Sequence, residues 1–371
     1  MFRNTFLLLA LTLGFMPCSG FESAQAATAL PEDRTAAVVY SYFNVGEDDD
    51  RDIPTLSLEA FESQIHEIKT GGYNATTLPV IINSQATRDV LPPRTIALTF
   101  DNVNDTVLSN AVPLLLENNI PFTLFLSPGK LDDNTKSGSG IGWDAIRSLK
   151  KESSVTLALT SYTYGHIVEL PEADVLSDLN RAKARFREEL GQEPEFFSYP
   201  YGETSPSLTA IVSRAGFKAA FGQTSGVVSP ASNLFALPRF TITDEFGDID
   251  RFRMTSLALP LPAKDMEPHT TQISQNPPTP GFTITSQLTP EDMGGISCFA
   301  SGLGKLQTSH LGKNRFEIRF PKGFEDNKGR MNCTLLGPSL EGSDEPRWRW
   351  LGFLFSIPDQ MVLPPPEISH P

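Results

Sequence analysis

Three short polar clusters follow β-prone stretches of this chain. They are Thr99-Phe100-Asp101-Asn102, Tyr162-Thr163-Tyr164-Gly165-His166 and Ser198-Tyr199-Pro200-Tyr201-Gly202. Together they offer a carboxylate, an imidazole and several phenols. The first cluster is the anchor. Residues 95–102 run from apolar, β-prone side chains straight into a carboxylate, which reads as a buried strand with a polar tip. In barrel-like α/β folds catalytic groups sit at the C-terminal ends of strands, and Asp101 stands in such a place. A second reading is a strand-ending Asp that caps the following helix. Position alone does not separate the two. His166 taken alone fits a hydrogen-bonded surface histidine as well as a site group. Tyr162, Tyr164, Tyr199 and Tyr201 fit either core packing or a sugar-stacking cleft, since aromatic faces suit pyranose rings.

The elements that must position these groups alternate. Strands are predicted at 36–43, 74–77, 95–101, 121–126, 155–159, 196–199 and 217–221. Helices are predicted at 58–69, capped by Ser57, and at 107–117, 143–151, 172–190 and 207–215. Residues 130–142, rich in Gly, Ser and Asp, read as a loop. The alternation predicts an α/β fold, a mainly parallel barrel or wound sheet. At 260–281 the character changes to prolines with Thr, Gln and Ser, which reads as a linker over 261–281. Beyond it, short strands separated by turn residues and no helical pattern predict a small all-β, sandwich-like domain over 282–358. Residues 359–371 are Pro-rich and read as a disordered tail.

The chain has 371 residues, of which 39% are apolar and 20% charged, so a packed core is expected. Its formal charge of −14 argues against a nucleic-acid partner. Residues 1–26 read as a secretory signal: Arg3, an apolar run over 6–15, and Ala24-Gln25-Ala26 as the cleavage site. No later segment has the apolar length of a transmembrane helix. The mature chain is therefore expected to be exported, periplasmic or extracellular. Of three cysteines, Cys18 falls in the signal, leaving Cys298 and Cys333. In an oxidising compartment the pair is expected to form a disulfide, the alternative being two buried thiols.

The three clusters, in this order and on these elements, resemble the polysaccharide deacetylase family, the NodB-homology carbohydrate esterases, over roughly residues 36–260. The chain is similar to its exported two-domain members. The resemblance implies a distorted (β/α) barrel that removes N-acetyl groups from glucosamine-containing glycans, hydrolysing C–N amide bonds with a divalent metal, usually zinc. In the family motif T-F-D-D the first Asp is the general base and the second a metal ligand. In H-[ST]-x-x-H both His bind the metal. In R-P-P-Y-G the Tyr backbone N–H holds the oxyanion.

Carried over residue by residue, Asp101 is the base and Tyr201 the oxyanion donor. His166 is a metal ligand, and Tyr164, Tyr199, Pro200 and Gly202 line the substrate side. Four positions depart from the pattern. Asn102 replaces the ligand Asp, Tyr162 replaces the first His and would face substrate instead, and Ser198 replaces the Arg that orients the base. Ser41 follows Tyr40 where many exported members carry a His. None of the five His residues falls where the family's general acid is expected. Enzymatic zinc sites use about three protein ligands and one open position. His166 and a neutral Asn102 carbonyl make a degenerate set, so metal binding and turnover are expected to be weak or absent. The expected partner is an N-acetylated glycan; no protein partner is implied. The alternative is a catalytically inactive glycan-binding or envelope interaction protein.

Overall fold

A computed structural model describes residues 29–46, 53–138, 140–285, 288–358 and 361. The signal segment lies outside the described residues, as does all of the expected tail except Met361.

The parallel strands run, in spatial order, Phe240–Thr241, Val38–Tyr42, Thr95–Asp101, Phe122–Leu126, Val155–Leu159, Phe196–Ser198 and Ala219–Phe221. Asn74–Ala75 adds a short pairing beside Thr95–Ile96. The sheet curls back on itself. Phe221 bridges Leu237 in parallel, and the Leu237 N–H donates to the Ala220 carbonyl at 2.9 Å. The segment leading into Phe240–Thr241 thus joins the two ends into a distorted barrel.

Side chains alternate across each strand. One parity class carries Ala37, Val39, Ala97, Phe125, Ala158, Phe196, Ala219, Phe221 and Leu237, which form a single inner cluster. Small residues on several strands leave room for the phenyl rings of others, as a narrow barrel requires. The helix Leu78–Thr87 contributes Leu78 and Ile81 to that cluster. The opposite parity, including Tyr40, Leu98, Phe100, Leu124 and Phe197, faces the surrounding helices. Leu58–Thr70 and Glu172–Leu190 lay apolar stripes there, burying Phe61 and Ile65, and Leu179 and Phe186.

The expected loop at 130–142 is a correction. Pro128–Ser137 is a helix, ended by Gly138 at φ 68°. A proline in the first turn and a left-handed glycine at the end are helix boundary signals. The polar composition in between masked them.

The C-terminal part is two facing sheets. Leu259–Pro260, Arg347–Ser356, Lys328–Gly337, Ser297–Ala300 and Gly304–Lys305 form one. Ala263–Glu267, Gly281–Ile284, Arg315–Arg319 and Gln307–Leu311 form the other. Phe282, Ile318, Met331 and Phe355 are buried between them. Cys298 and Cys333 stand opposite each other on antiparallel strands and are joined by a disulfide.

The stretch 261–281 is not free chain. Ala263–Glu267 is an edge strand paired with Gly281–Ile284. The Thr271 N–H donates to Thr204 O at 2.9 Å, and Ile273 is buried. Prolines are tolerated at sheet edges because no ladder donor is needed there. The barrel and the β domain are also in contact. Trp350 belongs to the barrel's outer core and meets Phe240 edge-on at 5.2 Å. At Gly352 an added Cβ would lie 2.2 Å from the Ser225 carbonyl oxygen, so only glycine lets the two backbones meet there.

Candidate functional site

Asp101 ends its strand on the inner parity, directly above Ala97 and Thr99. Strand alternation therefore aims its carboxylate into the barrel, where it is fully buried. Arg239 meets it there, also fully buried. Nη1 donates to Oδ1 and Nη2 to Oδ2, both at 2.7 Å. Ser198 donates its hydroxyl to Oδ2 at 2.8 Å and accepts from Arg239 Nη2 at 2.8 Å. Arg239 also donates to Thr99 Oγ1 and to Gly222 O, each at 2.9 Å. Below the guanidinium lie the Phe125 and Phe221 rings, at 5.3 and 5.9 Å. Position 198 carries no guanidinium; the one that reaches Asp101 comes from Arg239, just before the strand Phe240–Thr241, and it shares Asp101 Oδ2 with the Ser198 hydroxyl.

Sequence reading missed Arg239. Its only local signal is a lone cation in the apolar run Leu237-Pro238-Arg239-Phe240-Thr241-Ile242.

Tyr164 comes next. Its backbone is left-handed at φ 56°. Its hydroxyl is buried with no partner in hydrogen-bonding geometry. Burial first, then the charge of Asp101, hold this phenol well above its ordinary range, while Arg239 and the Tyr201 backbone amide act in the opposite sense. Its ring lies 5.2 Å from that of Tyr201, which in turn stacks on His166 at 4.2 Å. Tyr201 is also left-handed, at φ 56°, and Gly202 follows at φ 74°. An added Cβ at Gly202 would meet Gln223 at 2.4 Å.

His166 presents Nδ1 to both oxygens of Glu203, at 3.1 and 2.9 Å. Glu203 is buried and accepts a further bond from Ser356 Oγ at 2.7 Å. A carboxylate on Nδ1 fixes an imidazole and leaves Nε2 outward, the arrangement seen behind metal-bound or proton-carrying histidines. Ser356 belongs to the β domain, and so does Lys328, whose ammonium lies 5.3 Å from the Tyr201 ring centre. Burial, then the charge of Arg330, push Lys328 down to about 8, with Glu203 opposing. The β domain therefore contributes Ser356 and Lys328 to this cluster.

Tyr164, Tyr201 and His166 form one continuous series of ring contacts, and the charge of Asp101 acts on Tyr164. Asn102 adjoins them at φ 51°, its Oδ1 buried without a hydrogen-bond partner. Tyr162 and Tyr199 do not join them. Tyr162 donates to Asp132 Oδ2 at 2.8 Å and accepts from Arg181 at 3.0 Å, with that guanidinium 3.7 Å from its ring centre. Asp132 also receives Trp143 Nε1 at 2.8 Å. Tyr162 is thereby anchored among the outer helices. Tyr199 is fully buried and donates to Phe235 O at 2.8 Å. Both serve packing, one of the two roles open to them.

A three-ligand metal set does not fit these residues. His166 is oriented as a ligand would be, and Asn102 has a free buried acceptor. Asp101 is held in its ion pair, however, and the Tyr162 hydroxyl is committed to Asp132 and Arg181. Among the described residues no group of three or more His, Cys, Asp or Glu could hold a metal ion.

Residues 88–220 match the polysaccharide deacetylase family model. Over that segment the chain is similar to the polysaccharide deacetylase family. That segment carries Asp101, His166 and Tyr201 and ends before Arg239. The poly-beta-1,6-N-acetyl-D-glucosamine N-deacetylase of Staphylococcus aureus is 24% identical over 200 residues, covering 52% of this chain and 69% of that protein. The deacetylase PplD of Streptococcus pyogenes superposes with a TM-score of 0.55 at 15% identity, over 60% of this chain and 98% of that one. IcaB from Ammonifex degensii gives a TM-score of 0.54 at 23% identity, over 60% of this chain and 97% of that one. These likenesses cover the deacetylase barrel fold. The family is one of hydrolases. Among the described residues no helix is long and apolar enough to cross a membrane.

Proposed function

We propose that this chain is an exported member of the family that receives an N-acetylated glycan at the C-terminal mouth of its barrel and hydrolyses amide bonds there only weakly. One observation carries the reading. Of three ligand positions, one is the neutral Asn102, and another is Tyr162, whose hydroxyl is held by Asp132 and Arg181. A metal in this family's chemistry polarises the carbonyl and activates water, worth several kcal/mol of barrier. His166 and Asn102 are too few to hold it firmly. Export is supported by the signal-like residues 1–26 and by the Cys298–Cys333 disulfide, which suits an oxidising compartment. Elemental analysis of the purified mature chain, with acetate release from N-acetylglucosamine oligomers, tests the proposal. We expect sub-stoichiometric zinc and slow release. Stoichiometric zinc with fast release would overturn it.

A second reading, glycan binding without turnover, is favoured by Tyr164, whose buried hydroxyl sits in the field of Asp101. Saturable oligomer binding with no acetate release, unchanged by added zinc, would select it over the first.

A further inference from the structure

We propose that the seam between barrel and β domain holds a second binding site, for a small ligand carrying a carboxylate or phosphate group, clasped by Arg251 and Arg330. A cavity of about 170 Å³ lies there, bounded by Phe240, Thr241 and Arg251 from the barrel and by Phe299, Arg330 and Asn332 from the β domain. With a water's share of liquid volume near 30 Å³, it has room for an oxyanion and the carbon body next to it. Phe240 follows Arg239 directly and faces the outer core, whereas Arg239 points into the barrel. The seam cavity and the Asp101 site therefore lie on two sides of one strand.

Among the described residues no acid forms an ion pair with either guanidinium at this cavity. Arg330 donates to Gln223 O at 2.6 Å and Thr241 Oγ1 at 3.3 Å, both neutral. The Arg251 guanidinium sits 5.1 Å from the Phe246 ring centre and 5.7 Å from that of Trp350. Among the described residues it has no hydrogen-bonding or ion-pair acceptor. Arg94, Arg147, Arg185, Arg239, Arg253 and Arg349 all reach carboxylates. Arg251 and Arg330 form no such pair, and neither does the partly buried Arg347, but the first two flank one cavity, where the charge of Arg251 acts on Arg330. Glu245, exposed on the wall, acts on both at a distance, and Asp248 acts on Arg251; neither forms an ion pair with them. Burial, then the neighbouring Arg251, push Arg330 down to about 10, and burial lowers Arg251 as well. An entering oxyanion would relieve both costs, because guanidinium forks match carboxylate and phosphate oxygens. A third donor stands ready. Asn332 Oδ1 accepts from Trp350 Nε1 at 3.0 Å, which leaves its NH₂ unbonded among the described residues. Phe299, 43% exposed, offers an apolar face to the carbon part of the ligand.

The test uses the full mature chain at low ionic strength. Sodium acetate, inorganic phosphate and glucuronic acid are titrated separately by calorimetry. We expect saturable binding of at least one, weakened at least tenfold in Arg251→Met and in Arg330→Met. Tightest binding of glucuronate would assign a carboxylate-bearing sugar, and tightest binding of phosphate a phosphoryl group; either supports the site. Arg251→Met orphans no acceptor and removes a like-charge contact, so its ligand-free Tm should equal or exceed that of wild type. If Arg330→Met does not fold, Arg251→Met decides alone. No saturable binding of any probe would overturn the proposal, as would unchanged binding in Arg251→Met or a marked loss of its Tm. None of these readouts depends on deacetylation.

Discussion

Arg239 and Asp101 form a two-pronged ion pair, 2.7 Å on each arm, entirely out of solvent. Breaking such a pair from one side strands the other charge, at a cost of about 3–5 kcal/mol. Arg239→Met should lower unfolding stability by that order in a urea titration. Adding Asp101→Leu to it should recover part of the loss. A single-mutant cost below about 1 kcal/mol would mean that water reaches the carboxylate after all.

Lys328 gives a pH signature. Its folded-state pKa falls from the ordinary 10.5 to about 8. Between those values the unfolded chain holds a proton that the folded chain has released, so this group's contribution to stability rises with pH across that window. Lys328→Met should therefore be more stable than wild type at pH 7. That advantage should shrink as pH rises from about 8 toward 10. Thermal melts of both proteins across this range make the check; a constant difference would place Lys328 in open solvent.

Limited proteolysis addresses the junction. Ala263–Glu267 is paired and Thr271 is tied to Thr204, so first cuts should fall outside 263–273. Early cleavage inside that stretch, yielding two stable fragments, would restore the view of it as a linker.

The disulfide closes a loop with a sequence separation of 35. Replacing Cys298 and Cys333 by Ala should cost about 3–4 kcal/mol on the chain-entropy account. Mass spectrometry of the unreduced mature chain should find no alkylatable thiol. Two alkylated cysteines would refute the bridge.

Much of the barrel was legible because its strands are short apolar runs bounded by turn residues, and because the amphipathic helices carry caps and stripes. Asp101, His166 and Tyr201 were legible as strand-end groups. Arg239 was not, since its partner lies 138 positions away and only closure of the sheet brings them together. The fates of Tyr162 and Tyr199 were equally hidden. Each phenol could face inward or outward, and the choice is made by Asp132, Arg181 and Phe235 from other elements. The segment 261–281 misled because its prolines flank an edge strand, where they do no harm.

Trp350 sits in the outer layer of the barrel yet belongs to the β-domain strand Arg347–Ser356. A chain emerging N-terminus first would thus expose the Phe240 side of its barrel until residue 350 had been delivered. The order of delivery ties the covering of that flank to the strand Arg347–Ser356, and a chain cut short before it would carry an open, adhesive flank.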